Sequence, residues 1–597
     1  MMKKVIYVLI ILLVFQVVSY AENTALLNAM KDELARSMAK LKLDNEAAPY
    51  FIGYLIKDVY SMRITATSGA ITANTSNRFR TLKIDLRVGD YSLDNSNFTS
   101  MGGMLASGVT GMETRFTIDD DYDVLRRQLW LATDRAYKSA LDTLTRKKAF
   151  LQNTIQAESV PDFAKGEALS SLLPEASVDA KRGFWGQIVD QVSKLFLSQD
   201  KIQRSKVECR LQVVNSYYVN SEGAVSVQPF TAARLAINAS TQADDGMSLK
   251  NFLVYISAKP EDMPDKERIV GDTKKMIADL LALRTAPLAE DYSGPVLFEQ
   301  EAAGEFFAQG FVSNLLAKKM PLSDNAQYNA LFARMENPFL AKVNTKVAAN
   351  FLSVKAVPTL KDINRKALLG SYQVDEEGVK CRDVDLVENG ILKNLLTSRT
   401  PVKGFLQSNG HFRSSATAPS VVQFFSSKKL SSPELKKKLI EAVKEENLPY
   451  GYHVKYLTPP SEAVDPDDIS FESLLAPDQG LPDPMQFKLS KPILVYRIYA
   501  DGKEELVRGA EFGSLSVNAF KNILATSDDS LVYDYPIGGA GLAAGLSSLL
   551  GMVGMAGLSG QEVYATVIAP SFLIGGIDLK KPAGSYQKPP IVGYPIK

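Results

Sequence analysis

The chain has 597 residues, of which 46% are hydrophobic and 23% charged, so it can bury more than one core and is neither disordered nor collagen-like. Its 68 basic and 67 acidic residues give a net charge of +1 without a long basic block, and we therefore expect no nucleic-acid partner. Only two histidines, His411 and His453, and two cysteines, Cys209 and Cys381, are present. Together with the absence of CxxC and HExxH spacings, this scarcity excludes most zinc-site architectures.

Residues 1–21 are typical of a signal peptide. Lys3 and Lys4 precede an apolar run at residues 5–18, and Ser19-Tyr20-Ala21 offers the small residues that a signal peptidase reads. We therefore expect an exported protein, periplasmic or extracellular after cleavage, with an uncleaved membrane anchor as the alternative. Whether Cys209 and Cys381 pair after export is left open by the sequence.

Residues 22–286 are predicted to form an N-terminal α+β domain. Apolar residues that recur every three or four positions predict its helices, and alternation predicts its strands. The predicted elements are a helix at 25–41, strands at 50–66 and 82–88, a long helix at 125–144, strands at 209–219 and 252–257, and a helix at 269–283. A Ser-, Ala- and charge-rich stretch at about 158–204 is interpreted as an inserted helical arm.

Residues 287–597 are predicted to form a β-rich C-terminal domain. Asn389-Gly390 and Asp501-Gly502 indicate tight hairpins, and Ser432 followed by Pro433 is expected to begin a helix. The uncharged, glycine-rich segment 537–561 favours a loop over a transmembrane helix, although partial burial in a lipid surface stays open. Membrane association is thus allowed but not favoured.

Three segments of the second half carry a resemblance when they are taken together. They read GSYQVDEEG at 370–378, VDLVENGILK at 384–393 and SNGHFR at 408–413. In this order they resemble the TldD/PmbA family of metallopeptidases and their non-catalytic partners. Residues 50–54 and 87–95 look like the N-terminal domain of the exported branch of that family, and residues 507–509 with 520–521 are similar to its C-terminal part.

The resemblance implies a two-domain TldD/PmbA-like architecture and a cavity that holds an unfolded or extended peptide. Main-chain hydrogen bonds would hold that peptide and would tolerate many sequences. The family likeness also implies a homodimer or a heterodimer with a TldD-like relative. By the same likeness, the loop of Asn409, Gly410 and His411 would face the cavity.

The resemblance also shows where this chain departs from the active enzymes. Those enzymes carry His-Glu-x-x-Gly-His on a helix, completed by a cysteine, and the matching stretch here is residues 295–305. Glu301 is retained at the general-base place, whereas Gln300 and Glu305 stand at the two histidine places and Ala556 at the cysteine place. These side chains are poorer zinc ligands than imidazole and thiolate, or none at all. We therefore expect no cofactor.

Our leading hypothesis is a TldD/PmbA-like protein that lacks zinc and acts as a peptide-holding or partner subunit. An active metallopeptidase that binds zinc through substituted ligands, Glu301 and Glu305 with His411 as a further candidate, is the alternative. A second alternative is an envelope structural protein that uses segment 537–561 at a membrane. A paired-carboxylate hydrolase based on Glu301 and Glu305 has no further motif in its support.

Overall fold

The computed structural model describes residues 25–99, 113–153, 160–463, 483, 485–537, 562–582, 584, 586 and 590. The predicted signal peptide at 1–21 lies outside the described residues. The glycine-rich segment lies outside them too, apart from Ile537, and so does Ala556.

Eight helices lie in the described residues. They are α1 Ala25–Lys40, α2 Tyr122–Gln152, α3 Arg182–Lys194, α4 Lys266–Leu283, α5 Glu301–Phe306, α6 Ala326–Arg334, α7 Ser432–Glu445 and α8 Pro460–Ala463. A π-helix, Phe307–Phe311, continues α5. Short 3₁₀ turns lie at Pro260–Asp262, Val312–Leu315, Leu340–Lys342 and Ala519–Asn522.

The strands are long in the first half of the chain and short in the second. Those of the first half are β1 Pro49–Thr67, β2 Ala70–Val88, β3 Phe98–Thr99, β4 Thr114–Phe116, β5 Leu169–Leu172, β6 Arg204–Asn220, β7 Ala224–Gln242 and β8 Ser248–Ser257. Those of the second half are β9 Tyr292–Phe298, β10 Leu322–Ser323, β11 Leu352–Ala356, β12 Asp362–Ile363, β13 Lys366–Ala367, β14 Val384–Glu388, β15 Ile391–Leu392, β16 Phe412–Arg413, β17 Ala416–Thr417, β18 Val421–Ser426, β19 Lys429–Leu430, β20 Tyr450–Leu457, β21 Gln486–Phe487, β22 Pro492–Tyr499, β23 Glu504–Val507, β24 Glu511–Phe512, β25 Leu515–Ser516, β26 Ile523–Ser527, β27 Leu531–Ile537, β28 Val563–Ala569 and β29 Phe572–Lys580.

The first half forms one seven-stranded sheet in the order β4-β2-β1-β6-β7-β5, with β8 also paired to β7. One face of β1 is covered by helices, because Ile52, Tyr54 and Ile56 pack with residues of α1 and α2. Further along the same strand, Met62 and Ile64 pack with residues of α3 and α4. The opposite face of the sheet is therefore free to meet the second half.

The second half contains two larger sheets. One has the order β15-β14-β11-β18-β28-β27, and the other has the order β19-β26-β29-β9-β20-β22-β23, with β24 paired to β29. Their shared core is drawn from residues 289–579 and is rich in phenylalanine. The mixture of helices and mainly antiparallel sheets confirms the α+β class. The division into separate cores agrees with two domains, whose boundary at 286/287 stays a prediction.

Most predicted elements are found, with local corrections. The arm expected at about 158–204 is not purely helical: its described part contains β5, which joins the sheet beside β7, and α3, whose Trp185 and Ile188 are buried against that sheet. Because burial of these apolar side chains against the sheet removes them from water, the segment packs as part of the first half. Helix α7 is capped by Ser431 rather than Ser432, through a capping box with Glu434.

Buried ion pairs join the first sheet to the second half. On β1, Lys57 is only 3% exposed and lies 2.8 Å from Glu113 and 2.9 Å from Glu376 of the second half. Two further buried pairs cross in the same way, Arg399 with Glu222 and Arg234 with Glu462, and a partly exposed pair joins Arg210 to Glu562. Because a buried charge needs its counter-charge, these pairs fix how the two halves meet.

The cysteines are both free and buried, Cys209 on β6 and Cys381 before β14. The pairing that the sequence left open is therefore not made in this structure. Among the described helices, none combines the length and the apolar character that a membrane span requires.

Replacing Lys57 by Met should destabilise the protein by about 3 kcal/mol, because Glu113 and Glu376 would be left without their shared cation. Urea unfolding followed by circular dichroism measures this change. The matched control is Lys138→Met, which removes a solvent-exposed pair with Asp134 on α2. That change should alter the free energy of unfolding by no more than about 0.5 kcal/mol, and equal effects of the two substitutions would contradict the assignment.

Candidate functional site

A cavity of about 740 Å³ lies between the two halves of the molecule. One wall is formed by residues 251–257 of β8 together with the facing side of α4, and another by residues 531–536 on β27. Glu301 and Glu305 of α5 line the same cavity. The stretch that the sequence matched to the metal motif therefore lies at a cavity in which a peptide-sized ligand has room.

Gln300 occupies a strained turn between β9 and α5. Its backbone has φ 44° and ψ −110°, a conformation that a residue with a side chain rarely adopts. Its N–H donates to the Ser571 hydroxyl at 2.9 Å, and its carbonyl accepts from the Gly304 N–H at 3.0 Å. The strain is thus held in place by neighbours on both sides, as is common at functional sites.

Glu301 begins α5 and remains accessible within the cavity. The surrounding protein removes water from its carboxyl and raises its pKa, an effect that Lys366 opposes. A glutamate in such an environment holds a proton more readily than one in free solution. Of the two glutamates of the motif stretch that line the cavity, Glu301 is therefore the exposed one and the more accessible to a ligand.

Glu305 is in a different environment from Glu301. It is 4% exposed, and burial raises the pKa of its carboxyl to about 8. The Tyr533 hydroxyl donates to Oε2 and the Gln309 side-chain amide donates to Oε1. Neutral pH therefore finds this carboxyl largely protonated, with both oxygens already bonded to protein groups.

Gly304 allows β27 to lie directly against α5. A Cβ atom at this position would lie 2.7 Å from Cβ and 2.8 Å from Cγ of Tyr533, closer than packed carbon atoms can come. The glycine of the family motif therefore allows Tyr533 to pack against α5. The contact also brings the Tyr533 hydroxyl to Glu305.

The helix changes its winding directly after Glu305 and Phe306. The π-helical turn Phe307–Phe311 contains Gln309, whose amide is fixed by the Ser490 hydroxyl at 2.9 Å and by the Ser490 N–H at 3.0 Å. π-turns are rare in proteins overall, but those that occur are often found at functional sites. Here the turn positions Gln309 to hold Glu305 and not to bind a ligand.

These residues do not fit a zinc ion. Zinc requires at least three converging protein ligands, and within the part of the chain that the structure describes no group of three or more His, Cys, Asp or Glu could hold a metal. Gln300 is exposed while Glu305 is buried and bonded to Tyr533 and Gln309. Ala556, outside the described residues, has no donor atom in its side chain.

The wall of the 740 Å³ cavity does not include Asn409, Gly410 or His411, and the cavity-facing position that the resemblance implies for this loop stays a prediction. His411 is fully buried, with Nδ1 2.9 Å from Asn409 Oδ1 and Nε2 3.1 Å from the Ser420 hydroxyl. Burial lowers the pKa of His411 to about 3, so the ring is neutral. The loop is held inward because the Asn409 side chain bonds main-chain groups of residues 395 and 397.

His453 lies on β20 and pairs with Glu299, the residue before Gln300. Its Nε2 lies 2.9 Å from Glu299 Oε2, and this bond lowers the pKa of the Glu299 carboxyl. Both histidines therefore bond to protein groups away from Glu301 and Glu305.

The strand β8 presents a free edge at the cavity. On β7 the Ser240 carbonyl accepts a hydrogen bond from the Gln203 N–H, which lies on the β6 side. Because the main-chain groups of successive residues point to opposite sides of a strand, the odd-numbered residues of β7 are the ones that bond to β8. It follows that Val254 and Ile256 point their N–H and C=O groups away from β7. No main-chain bond to these two residues from elsewhere in the described chain is present.

Sequence reasoning did not identify Tyr533, Gln309 or the edge of β8. The alternation of Tyr533 and Tyr535 indicates a strand with an aromatic face, but not which partner that face meets. Gln309 lies beyond the motif and carries no pattern of its own. Only the fold brings these groups to Glu305.

Comparison with known proteins was made for sequence and for structure. Residues 291–458 match the family model described as the PmbA/TldA metallopeptidase C-terminal domain. No curated protein shows significant sequence similarity to the chain.

Three solved structures share the fold at low sequence identity. A candidate modulator of a DNA gyrase from Thermotoga maritima has 14% identity and a TM-score of 0.56, with 92% of this chain and 99% of that one covered. TldE from Thermococcus kodakarensis has 12% identity and a TM-score of 0.56, with coverages of 92% and 100%. A candidate modulator of DNA gyrase from Bacteroides thetaiotaomicron has 11% identity and a TM-score of 0.55, with coverages of 93% and 98%.

Replacing Gly304 by Ala should destabilise the protein by about 1–3 kcal/mol, because the new Cβ would force Tyr533 away from α5. The control is Gly183→Ala on α3, where nothing lies within 4 Å of the added atom and the change should be neutral or stabilising by up to about 1 kcal/mol. Thermal unfolding of both variants makes the comparison. A Gly304 variant as stable as the control would refute the close contact.

The stability of the protein should depend on pH through Glu305. Its carboxyl has a pKa of about 8 in the fold, against about 4.3 for an unfolded glutamate. The stabilisation by the neutral form is therefore complete below about pH 4.3 and is lost as the pH rises through the folded value. Relative to Glu305→Gln, the wild type should lose on the order of a few kcal/mol between about pH 5 and about pH 9.

Urea unfolding of the wild type and of Glu305→Gln at matched pH values measures this difference. Titration of other groups, such as Asp375, is common to the two proteins and cancels in the comparison. Parallel pH profiles would show that Glu305 is ionised at neutral pH.

Proposed function

The chain carries the C-terminal domain of the TldD/PmbA family, and from this premise we propose that it is a zinc-free member that holds extended peptides rather than cleaving them. The proposal rests on one observation above all. Glu305, at a ligand place of the active enzymes, is buried, has a pKa raised to about 8 and is bonded by Tyr533 and Gln309. A neutral carboxyl in this setting neither binds a metal nor accepts a proton from water.

Glu301 keeps the place of a general base but has no partner for that role. A base in peptide hydrolysis acts on a water that a metal ion has made acidic. The donor set around Glu301 does not fit such an ion. We therefore assign Glu301 to contact with a bound peptide, where its carboxyl can form a hydrogen bond with a polar group of the peptide.

The edge of β8 supports the peptide-holding role. Val254 and Ile256 offer their main-chain groups to the cavity, and an extended chain laid beside them would continue the sheet. Recognition of this kind depends on backbone hydrogen bonds, so it accepts many side chains. The cavity of about 740 Å³ accommodates a short extended segment and not a folded domain.

The walls would treat alternate peptide side chains differently. On β8, Tyr255 faces α4, because its hydroxyl donates to Asp272 at 2.7 Å, and successive side chains of a strand point to opposite faces. A peptide strand beside β8 would thus place one set of side chains toward α4 and the other toward α5 and β27.

Export and partnership complete the proposal. The signal-peptide pattern at residues 1–21 supports action outside the cytoplasm. Because the residues that the structure describes offer no set of zinc ligands, a TldD-like relative with an intact motif would supply the cleavage in a heterodimer, whereas a homodimer would only hold peptides. Copurification with an exported relative distinguishes the two.

The peptide-holding role is tested with fluorescent ten-residue peptides that carry C-terminal amides, by fluorescence anisotropy. Two methylated versions of each peptide are compared, one with methyl groups on the odd-numbered backbone nitrogens and one with methyl groups on the even-numbered nitrogens. In one of these two frames the methylated nitrogens face β8, and in the other they face away from it. The frame that faces β8 should weaken binding roughly 30-fold, since the two hydrogen bonds lost to the carbonyls of Val254 and Ile256 contribute about 1 kcal/mol each. The other frame should bind within roughly threefold of the parent peptide.

The protein side has a matched pair of variants. Val254→Pro removes an outward N–H, which edge strands tolerate, and should weaken binding by about tenfold, while Val254→Thr keeps the N–H and the shape and should not. Equal binding of both methylated frames would contradict strand addition. Chelator-sensitive cleavage of the peptide by zinc-treated protein would instead establish the metallopeptidase with substituted ligands.

A further inference from the structure

A second cavity of about 420 Å³ lies on the other face of the first sheet and shares no lining residue with the first. Its walls come from β6 and β7 on one side and from residues 371–376 and Arg413 on the other. The cavity is therefore another gap between the two halves. It has no role in the proposed binding of peptides at β8.

Arg413 differs from every other buried cation of the described chain. Eight Lys and Arg residues are buried there, and seven of them lie within 4 Å of a carboxylate. These seven are Lys57, Arg80, Arg87, Lys147, Arg234, Arg399 and Arg497. Arg413 is 8% exposed, and no carboxylate of a described residue lies within ion-pair distance of it.

The contacts of Arg413 fix its position without neutralising it. Nη1 donates to the Tyr564 carbonyl at 2.8 Å and to the Pro419 carbonyl at 3.4 Å, and the guanidinium lies 4.4 Å from the centre of the Tyr372 ring. Within the described residues, Nε and Nη2 make no hydrogen bond. Burial lowers the pKa of Arg413, and the nearby Tyr372 and Glu376 oppose this effect only in part.

A buried charge without a counter-charge is costly, and proteins rarely keep one unless a ligand supplies the missing charge. A guanidinium with Nε and Nη2 both free offers two parallel donors, the arrangement that a carboxylate matches with its two oxygens. We propose that the second cavity is a binding site for a carboxylate, held by Arg413 over the ring of Tyr372. The group would belong to a small organic acid or to the C-terminus of a peptide.

The neighbours of Arg413 favour a single negative charge. Glu376 lines the same cavity and is ion-paired with Lys57 at 2.9 Å. Its charge is thereby partly balanced but still repels a second anion, so a doubly charged phosphate is disfavoured relative to a carboxylate. The volume of about 420 Å³ suits a ligand up to the size of a short peptide end.

Isothermal titration calorimetry with two pairs of probes tests the site. Propionate and propionamide test the small acid, while acetyl-trialanine with a free carboxylate and the same peptide as an amide test the C-terminus. We expect a carboxylate to bind and its amide partner not to bind. Binding of propionate alone identifies a small acid as the ligand class, and binding of the peptide identifies a chain terminus.

Three variants connect the binding to the proposed residue. Arg413→Gln should weaken carboxylate binding at least tenfold, and Arg413→Lys, which keeps the charge but loses the paired donors, should fall between it and the wild type. Lys361→Gln, an exposed cation at the same cavity, should change binding no more than twofold. Circular dichroism and thermal unfolding establish that each variant is folded.

The proposal is wrong if no carboxylate binds to the wild type, if the amides bind equally well, or if inorganic phosphate binds more tightly. Equal binding by folded Arg413→Gln would also overturn it. Should that variant fail to fold, the comparison of carboxylate with amide on the wild type and on Arg413→Lys decides the matter. Failure here leaves the proposed role of β8 intact, because that assay uses amidated peptides and a separate cavity.

Discussion

The contact between Tyr533 on β27 and α5 is the constraint on which the site depends. Gly304 lets the strand approach, the Tyr533 hydroxyl then meets Glu305, and the carboxyl is buried and made neutral by the same packing. The contact also sets β27 as one wall of the larger cavity. The packing of Tyr533 therefore determines the chemistry of Glu305. A carboxylate at position 305 could bind a metal only if Tyr533 moved away from it.

The seam between the halves is organised by charge. Buried pairs such as Lys57 with Glu376 and Arg399 with Glu222 hold the first sheet against the second half, since each charge would be costly without its partner. The interface between the two halves is not tightly packed throughout, and the two cavities are the places where packing is incomplete. One gap presents a free strand edge and the other an uncompensated guanidinium, so each exposes the kind of group that a ligand satisfies.

Local pattern predicted the elements of this fold well, because hydrophobic period and turn chemistry are short-range signals. Asn389 and Gly390 both have positive φ in the hairpin that they were expected to form, and α1, α2 and α4 follow their apolar stripes. The sequence located Gln300, Glu301 and Glu305 through the family likeness. Tyr533 could not be predicted, since more than 200 residues separate it from Glu305, and the burial of His411 could not be predicted because a loop sequence does not reveal which way it packs.

The protonation state of Glu305 in the presence of zinc tests the central claim most directly. Infrared difference spectra between the wild type and Glu305→Gln at neutral pH resolve the carbonyl band of a protonated carboxyl. If Glu305 is neutral, the wild type should have this band and the variant should lack it. Addition of equimolar zinc should leave the band unchanged. A wild type without the band, or a band that zinc removes, would show an ionised glutamate free to bind metal and would contradict the account.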